Sequence, residues 1–135
     1  MRLLGYVIML DHIHLAVWSE DARKVRRFLE RFLAAASARI AALTERAAKG
    51  GNPTAAAWLS IFKACARKGG VARVWKERGR AFPVSRDDAL FQKLDYMHAN
   101  PVRAQLVSRA EDWEFGSAGW YAEGKGPLVI DALDV

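Results

Sequence analysis

The spacing of apolar positions changes character along the chain, and each change marks an element. From Leu3 to Trp18 the run is apolar and β-branched, interrupted by Leu10-Asp11 and by two histidines. It predicts a hairpin over 3–18, with strands 3–9 and 12–18 turning at Leu10-Asp11. Apolar residues then recur at helical spacing as Val25, Phe28, Leu29, Phe32, Leu33, Ala36, Ile40 and Leu43. A long helix over about 20–49 follows, with Ser19 as N-cap, Glu20 and Asp21 in the first turn where the helix dipole favours acids, and Gly50-Gly51 at the end. Asn52-Pro53 opens a second helix, about 53–68, whose Trp58, Leu59, Phe62 and Cys65 are expected to pack inward before Lys68-Gly69-Gly70 closes it. Residues 71–84 mix strand propensity with charge and predict a short strand ending near Val84. Ser85-Arg86-Asp87-Asp88 reads as a capping box for a third helix, about 86–100, with Leu90, Leu94 and Met97 as its buried stripe. Pro101 stops that helix, because a residue before proline is pushed out of the α region. In the tail, 122–135, Leu128-Val129-Ile130 suggests a strand or an extended clamp.

Composition narrows the class. At 135 residues the chain has room for one domain with a real core. A formal charge of +6 and a pI near 9.8 favour a polyanionic partner. The long helix carries Arg23, Lys24, Arg27, Arg31, Arg39 and Arg46 opposite its apolar face, a solvated surface from which a subset can reach phosphates. The single cysteine, Cys65, excludes an internal disulfide framework, fits a reducing cytosol, and is expected to be a small buried side chain. No apolar run approaches the ~20 residues needed to cross a bilayer, and no cleavage-site pattern follows Leu3–Leu10, so neither a membrane partner nor a signal peptide is expected.

Candidate chemistry concentrates in two stretches. Asp11-His12-Ile13-His14 puts two imidazoles two residues apart in a strand, hence on one face, where they can take adjacent positions on a divalent ion; a structural or merely exposed pair is the competing reading. Leu94-Asp95-Tyr96-Met97-His98-Ala99-Asn100-Pro101-Val102 sets Tyr96 and Asn100 four apart on one helix face. Taken alone, the segment favours the simpler reading of a boundary tyrosine and an asparagine C-cap. Between them, Trp75 with Arg78 and Arg80 has the aromatic-plus-cation mixture of a single-strand binding site, although Trp75 and Phe82 also suit a core.

Taken in order, the two stretches resemble the single-tyrosine HUH transposases, in particular the REP-associated tyrosine transposases. Tyr6-Val7-Ile8-Met9-Leu10-Asp11-His12-Ile13-His14-Leu15 is similar to the family's histidine hairpin, and Tyr96-Met97-His98-Ala99-Asn100-Pro101-Val102 to its tyrosine helix. Weaker matches are Trp75, Gln105-Leu106-Val107, Glu111-Asp112-Trp113, Gly116-Ser117 and Tyr121. The resemblance covers most of residues 3–121. It implies an α+β, ferredoxin-like single domain whose antiparallel sheet carries the histidines, with helices on one face. It further implies His12, His14 and Asn100 as ligands of magnesium or manganese and Tyr96 as nucleophile. The expected activity is cleavage and transfer of single-stranded DNA at hairpin-forming palindromic repeats through a 5′-phosphotyrosine link. The expected setting is the cytoplasm, at the bacterial nucleoid.

Departures from the family pattern are Leu10 for proline, Asp11 for asparagine, and Gly116-Ser117-Ala118 for a serine pair. Asp11 remains a good turn residue and adds a carboxylate near the histidines, as support or as a rival ligand. The family's first strand and helix have no counterpart before Met1. The histidine strand is therefore expected at an open edge that invites pairing, including in a homodimer, or that draws in residues 71–84 or 127–131. Two other readings stand beside the transposase: a catalytically inactive remnant that binds DNA hairpins, and a small metal-dependent hydrolase that uses the histidines without Tyr96.

Overall fold

The structure, a computed structural model, describes residues 1–66, 74–75, 79–84 and 87–131. It is mixed α+β, with one two-stranded antiparallel sheet among the described residues. The chain forms two compact units, one of residues 1–25 with 82–135 and one of residues 26–81.

The first unit is built on the hairpin. Strand β1 (Arg2–Ile8) pairs with β2 (Ile13–Trp18) from Arg2↔Trp18 to Ile8↔Ile13. The turn closes through Met9 N–H to the His12 carbonyl at 2.8 Å, with Leu10-Asp11 between them as expected. A register shift between Leu3 and Gly5 inserts Leu4 as a bulge, and Leu4, Gly5, Tyr6 and Val7 are all buried. Helix α3 (Asp87–His98) lies on β1, where Val7, Leu94 and Met97 form the core with Met9, Ala16, Leu90 and Trp113 around it. Gly5 makes that approach possible: a Cβ there would stand 2.6 Å from Met97 Cε and 2.7 Å from Leu94 Cδ2.

Pro101 ends α3 but not the helical path. A single turn, α4 (Asn100–Arg103), starts at once with the proline in its first turn, where no amide hydrogen is needed. It ends with Leu106 N–H on the Pro101 carbonyl and Gln105 N–H on the Val102 carbonyl, both 2.9 Å. This double closure puts Gln105 at φ 57, a left-handed position that favours glycine. A 3-10 turn (Ala110–Asp112) and helix α5 (Ala118–Glu123) follow.

The outer edge of β1 is occupied by residues from the C-terminal third. The Ile8 amide donates to the Phe115 carbonyl at 2.8 Å, Ser117 N–H to the Tyr6 carbonyl at 2.9 Å, and Asp131 N–H to the Leu3 carbonyl at 2.9 Å. Side chains complete the seal: Trp113 Nε1 donates to the Ile8 carbonyl at 3.0 Å, Tyr121 Oη to the Leu4 carbonyl, and Asp131 Oδ2 accepts from Leu3 N–H at 2.7 Å. The tail thus acts as an extended clamp, with Ile130 buried, and forms no strand among its described residues. It closes β1 rather than β2; among the described residues β2 has β1 as its one strand neighbour.

The second unit holds most of α1 (Ala22–Lys49) and α2 (Pro53–Ala64). The cap of α1 is Asp21, not Ser19: Asp21 Oδ1 accepts from Arg23 N–H at 2.9 Å, while Ser19 Oγ takes the Asp21 amide at 3.2 Å. No acid remains in the first turn of α1. Asn52 caps α2 by accepting from Ala55 N–H at 2.9 Å, with Pro53 in the first turn. That helix ends at Ala64, before the predicted 68. Phe62 is buried and Leu59 half-buried, but Trp58 is 52% exposed and Cys65, at the C-cap, is also exposed, so neither packs inward. Of the proposed strand over 71–84, the described residues carry no strand; the rest, like Ser85 of the capping box and Lys68-Gly69-Gly70, lies outside the described residues. No helix among the described residues is long and apolar enough to cross a membrane.

Candidate functional site at the hairpin tip

The hairpin tip brings the two histidines together. His12 sits in the turn and His14 on β2, and their Nε2 atoms are 3.1 Å apart with the rings edge to face, centroids 4.8 Å apart. His12 lies just before β2, and the turn leaves both rings on one face, where the sequence expected strand alternation to put them. Burial, then the neighbouring His12, pushes the His14 imidazole below its usual range, which keeps it neutral and able to donate a lone pair. On the far side of the His12 ring, Nδ1 bonds Asp11 Oδ1 at 2.6 Å. That bond, and then the electrostatic pull of the neighbouring ring, lower the Asp11 carboxyl below its ordinary value.

Asn100 reaches the same place from the junction of α3 and α4. Its Nδ2 lies 3.3 Å from His14 Nε2 and 3.1 Å from each of the Tyr96 and Met97 carbonyls. The Met97 carbonyl is the one a helical residue 101 would have bonded, and Pro101 has no amide hydrogen to offer it. Asn100 therefore caps the tyrosine helix while standing beside the histidines. The structure thus shows the cap reading of that residue: Nδ2 serves the two carbonyls and is the atom nearest His14.

Tyr96 lies one turn before Asn100 and is 54% exposed. The guanidinium of Arg103 lies over its ring, 4.5 Å from the centroid. Sequence reading missed Arg103, although its position seven residues after Tyr96 places it two turns on along the same face. His98, the third histidine, points away from this group: Nε2 meets Ser117 Oγ at 2.8 Å, and burial lowers its imidazole against an opposing pull from Asp95. Ser117, which the sequence left without a role, joins His98 to Tyr6.

Of the remaining candidates, Trp75 and Arg80 fall in the second unit, Phe82 in the first, and Arg78 outside the described residues. Trp75 is half-buried and donates its indole N–H to the Leu33 carbonyl at 3.1 Å, which ties it to α1. Phe82 is 74% exposed and is no core residue. Arg80 is exposed, and Arg78 lies outside the described residues.

Two nitrogens bound at adjacent positions of an octahedral ion, each at about 2.1 Å, stand about 3.0 Å apart. The 3.1 Å between the two Nε2 atoms, which is also the length of an ordinary N–H···N hydrogen bond between the rings, is compatible with that span. Among the described residues no group of three His, Cys, Asp or Glu side chains gathers for a metal. The side chain standing next to the pair is the Asn100 amide, with Nδ2 3.3 Å from His14 Nε2. No family model, curated protein or solved structure matches the chain.

Proposed function

We propose that the chain is a metal-dependent endonuclease and strand transferase for single-stranded DNA, of the REP-associated tyrosine transposase type, acting on hairpin-forming repeats. The observation that carries this reading is the convergence of His12 and His14 at 3.1 Å beside Asn100, with exposed Tyr96 one helical turn from that asparagine. The fold would then be a ferredoxin-like one, and the protein would work in the cytoplasm at the nucleoid.

His12 and His14, with the Asn100 amide as third donor, would hold the cation. Once bound it supplies Lewis-acid polarisation of the scissile phosphate, as magnesium or manganese do. Two imidazoles are softer than the all-oxygen shell that magnesium prefers, which makes manganese the better probe. The chain's own work is positioning. Tyr96 Oη forms a bond to phosphorus as the phosphorus–O3′ bond breaks; the phenol proton is lost, and the departing 3′ oxygen gains one to become a hydroxyl. The product is a 5′-phosphotyrosine that conserves the bond for rejoining. The Asn100 cap fixes the last turn of α3 and with it the tyrosine backbone, while Arg103 restricts the ring from above.

The test is incubation of the protein with a single-stranded hairpin oligonucleotide and manganese. A denaturation-resistant adduct, lost in Tyr96→Phe, is expected. Cleavage that survives Tyr96→Phe would make the protein a hydrolase, and binding without an adduct would make it a hairpin-binding remnant; either result refutes the proposal.

A further inference from the structure

The carboxylate of Asp11 and the cation position lie on opposite sides of one imidazole. Asp11 Oδ1 is 2.6 Å from His12 Nδ1, whereas it is Nε2 of the same ring that faces His14 Nε2 at 3.1 Å. A carboxylate can only accept, so His12 must carry its hydrogen on Nδ1, and in the neutral ring Nε2 then presents a lone pair. An isolated neutral imidazole exchanges its hydrogen between the two nitrogens; here the turn supplies a reason for one choice. The geometry also decides between the two roles open to this acid, since a rival ligand would have to reach the Nε2 side.

The geometry points to Asp11 as a positioning residue, an outer-shell carboxylate that locks the tautomer and orientation of His12 so that Nε2 faces the cation shared with His14. It rests on the reading that the two histidines hold a cation, and adds to it the residue that prepares one of them. Such outer-shell partners orient metal-bound imidazoles in general, and their loss costs about 10–100-fold in affinity. Asp11 is exposed, with 86% of its side chain open to solvent, so the lower end of that range applies.

Two measurements on the full chain test it. Nitrogen-15 spectra of the metal-free protein should show His12 protonated at Nδ1, and Asp11→Ala should release it to a mixture of tautomers. Manganese titration, followed by the electron paramagnetic resonance of the free ion, should show Asp11→Ala binding about tenfold more weakly than wild type. Asp11→Asn keeps the turn chemistry and an uncharged acceptor, so it should fall between the two. A wild-type His12 protonated at Nε2, or an Asp11→Ala affinity within twofold of wild type while His12→Ala abolishes binding, overturns the role of Asp11 alone. Wild type binding manganese no better than His12→Ala overturns the cation site, and the role of Asp11 with it.

Discussion

Ser117→Ala is the most informative single change to the fold. Ser117 is 1% exposed and its Oγ serves three groups at once. It accepts from Tyr6 N–H at 2.9 Å, stands 3.1 Å from the Tyr6 carbonyl, and meets His98 Nε2 at 2.8 Å. A hydroxyl has one hydrogen, so when Oγ donates to the carbonyl, His98 must donate to Oγ. Alanine leaves the Tyr6 amide, in a residue 3% exposed, facing a methyl group. A buried donor left unsatisfied costs about 1–3 kcal/mol, and the lost bond to His98 adds about 1 kcal/mol. The Tyr6 carbonyl keeps Ser117 N–H and is not orphaned. The sum, about 2–4 kcal/mol, corresponds to a Tm lower by about 8–30 °C for a unit of under about 100 residues. Calorimetric unfolding of wild type, Ser117→Ala, His98→Ala and the double variant measures it, and the cycle should return a coupling of about 0.5–3 kcal/mol. A Tm drop below about 4 °C would refute the reasoning, since it would mean that the Tyr6 amide finds another acceptor.

Three further outcomes are expected. Gln105→Gly should stabilise the protein by about 1 kcal/mol, because φ 57 strains any residue with a Cβ; an unchanged or lower urea midpoint refutes this. In the presence of a chelator, stability should be full above about pH 6.5 and fall as the pH drops below it. His14 and His98 are both held below the ordinary imidazole value of 6.5 in the folded chain, so the unfolded chain binds more protons in that window; a Tm flat from about pH 7.5 to pH 5 would sink the argument. Under the transposase reading, Arg103→Ala should slow adduct formation about 2–5-fold, the worth of an exposed cation over an aromatic ring, with Arg103→Lys between it and wild type. Rates identical to wild type would remove Arg103 from the site.

Much of the local structure is written in the sequence, because it depends on neighbours. The apolar, β-branched run from Leu3 to Trp18, the turn at Leu10-Asp11, the helical spacing from Val25 onward and the Asn52-Pro53 start follow from local backbone preference and spacing alone. The two-residue spacing at the start of β2 is also enough to suggest that His12 lies beside His14, although His12 itself falls in the turn. Competition between near-equal local choices is where reading falters. Asp21 outbids Ser19 for the cap because its carboxylate reaches Arg23 N–H, and Pro101 both ends α3 and begins α4 because a helix start needs no amide hydrogen there.

Only the tertiary structure decides what lies far apart in sequence. The outer edge of β1 is closed by Trp113, Phe115, Ser117, Tyr121 and Asp131, partners more than a hundred residues away. A strand's backbone needs partners but does not name them, so no pattern in 2–8 reveals that edge. Trp58 and Cys65 repeat at helical spacing as a core residue would, yet whether a face is covered depends on what packs over it. Asp11 is the sharpest case. The sequence determined that a carboxylate adjoins a histidine pair; the turn decided that it holds Nδ1 and leaves Nε2 to its partner, because hydrogen bonds are directional and adjacency in the chain is not.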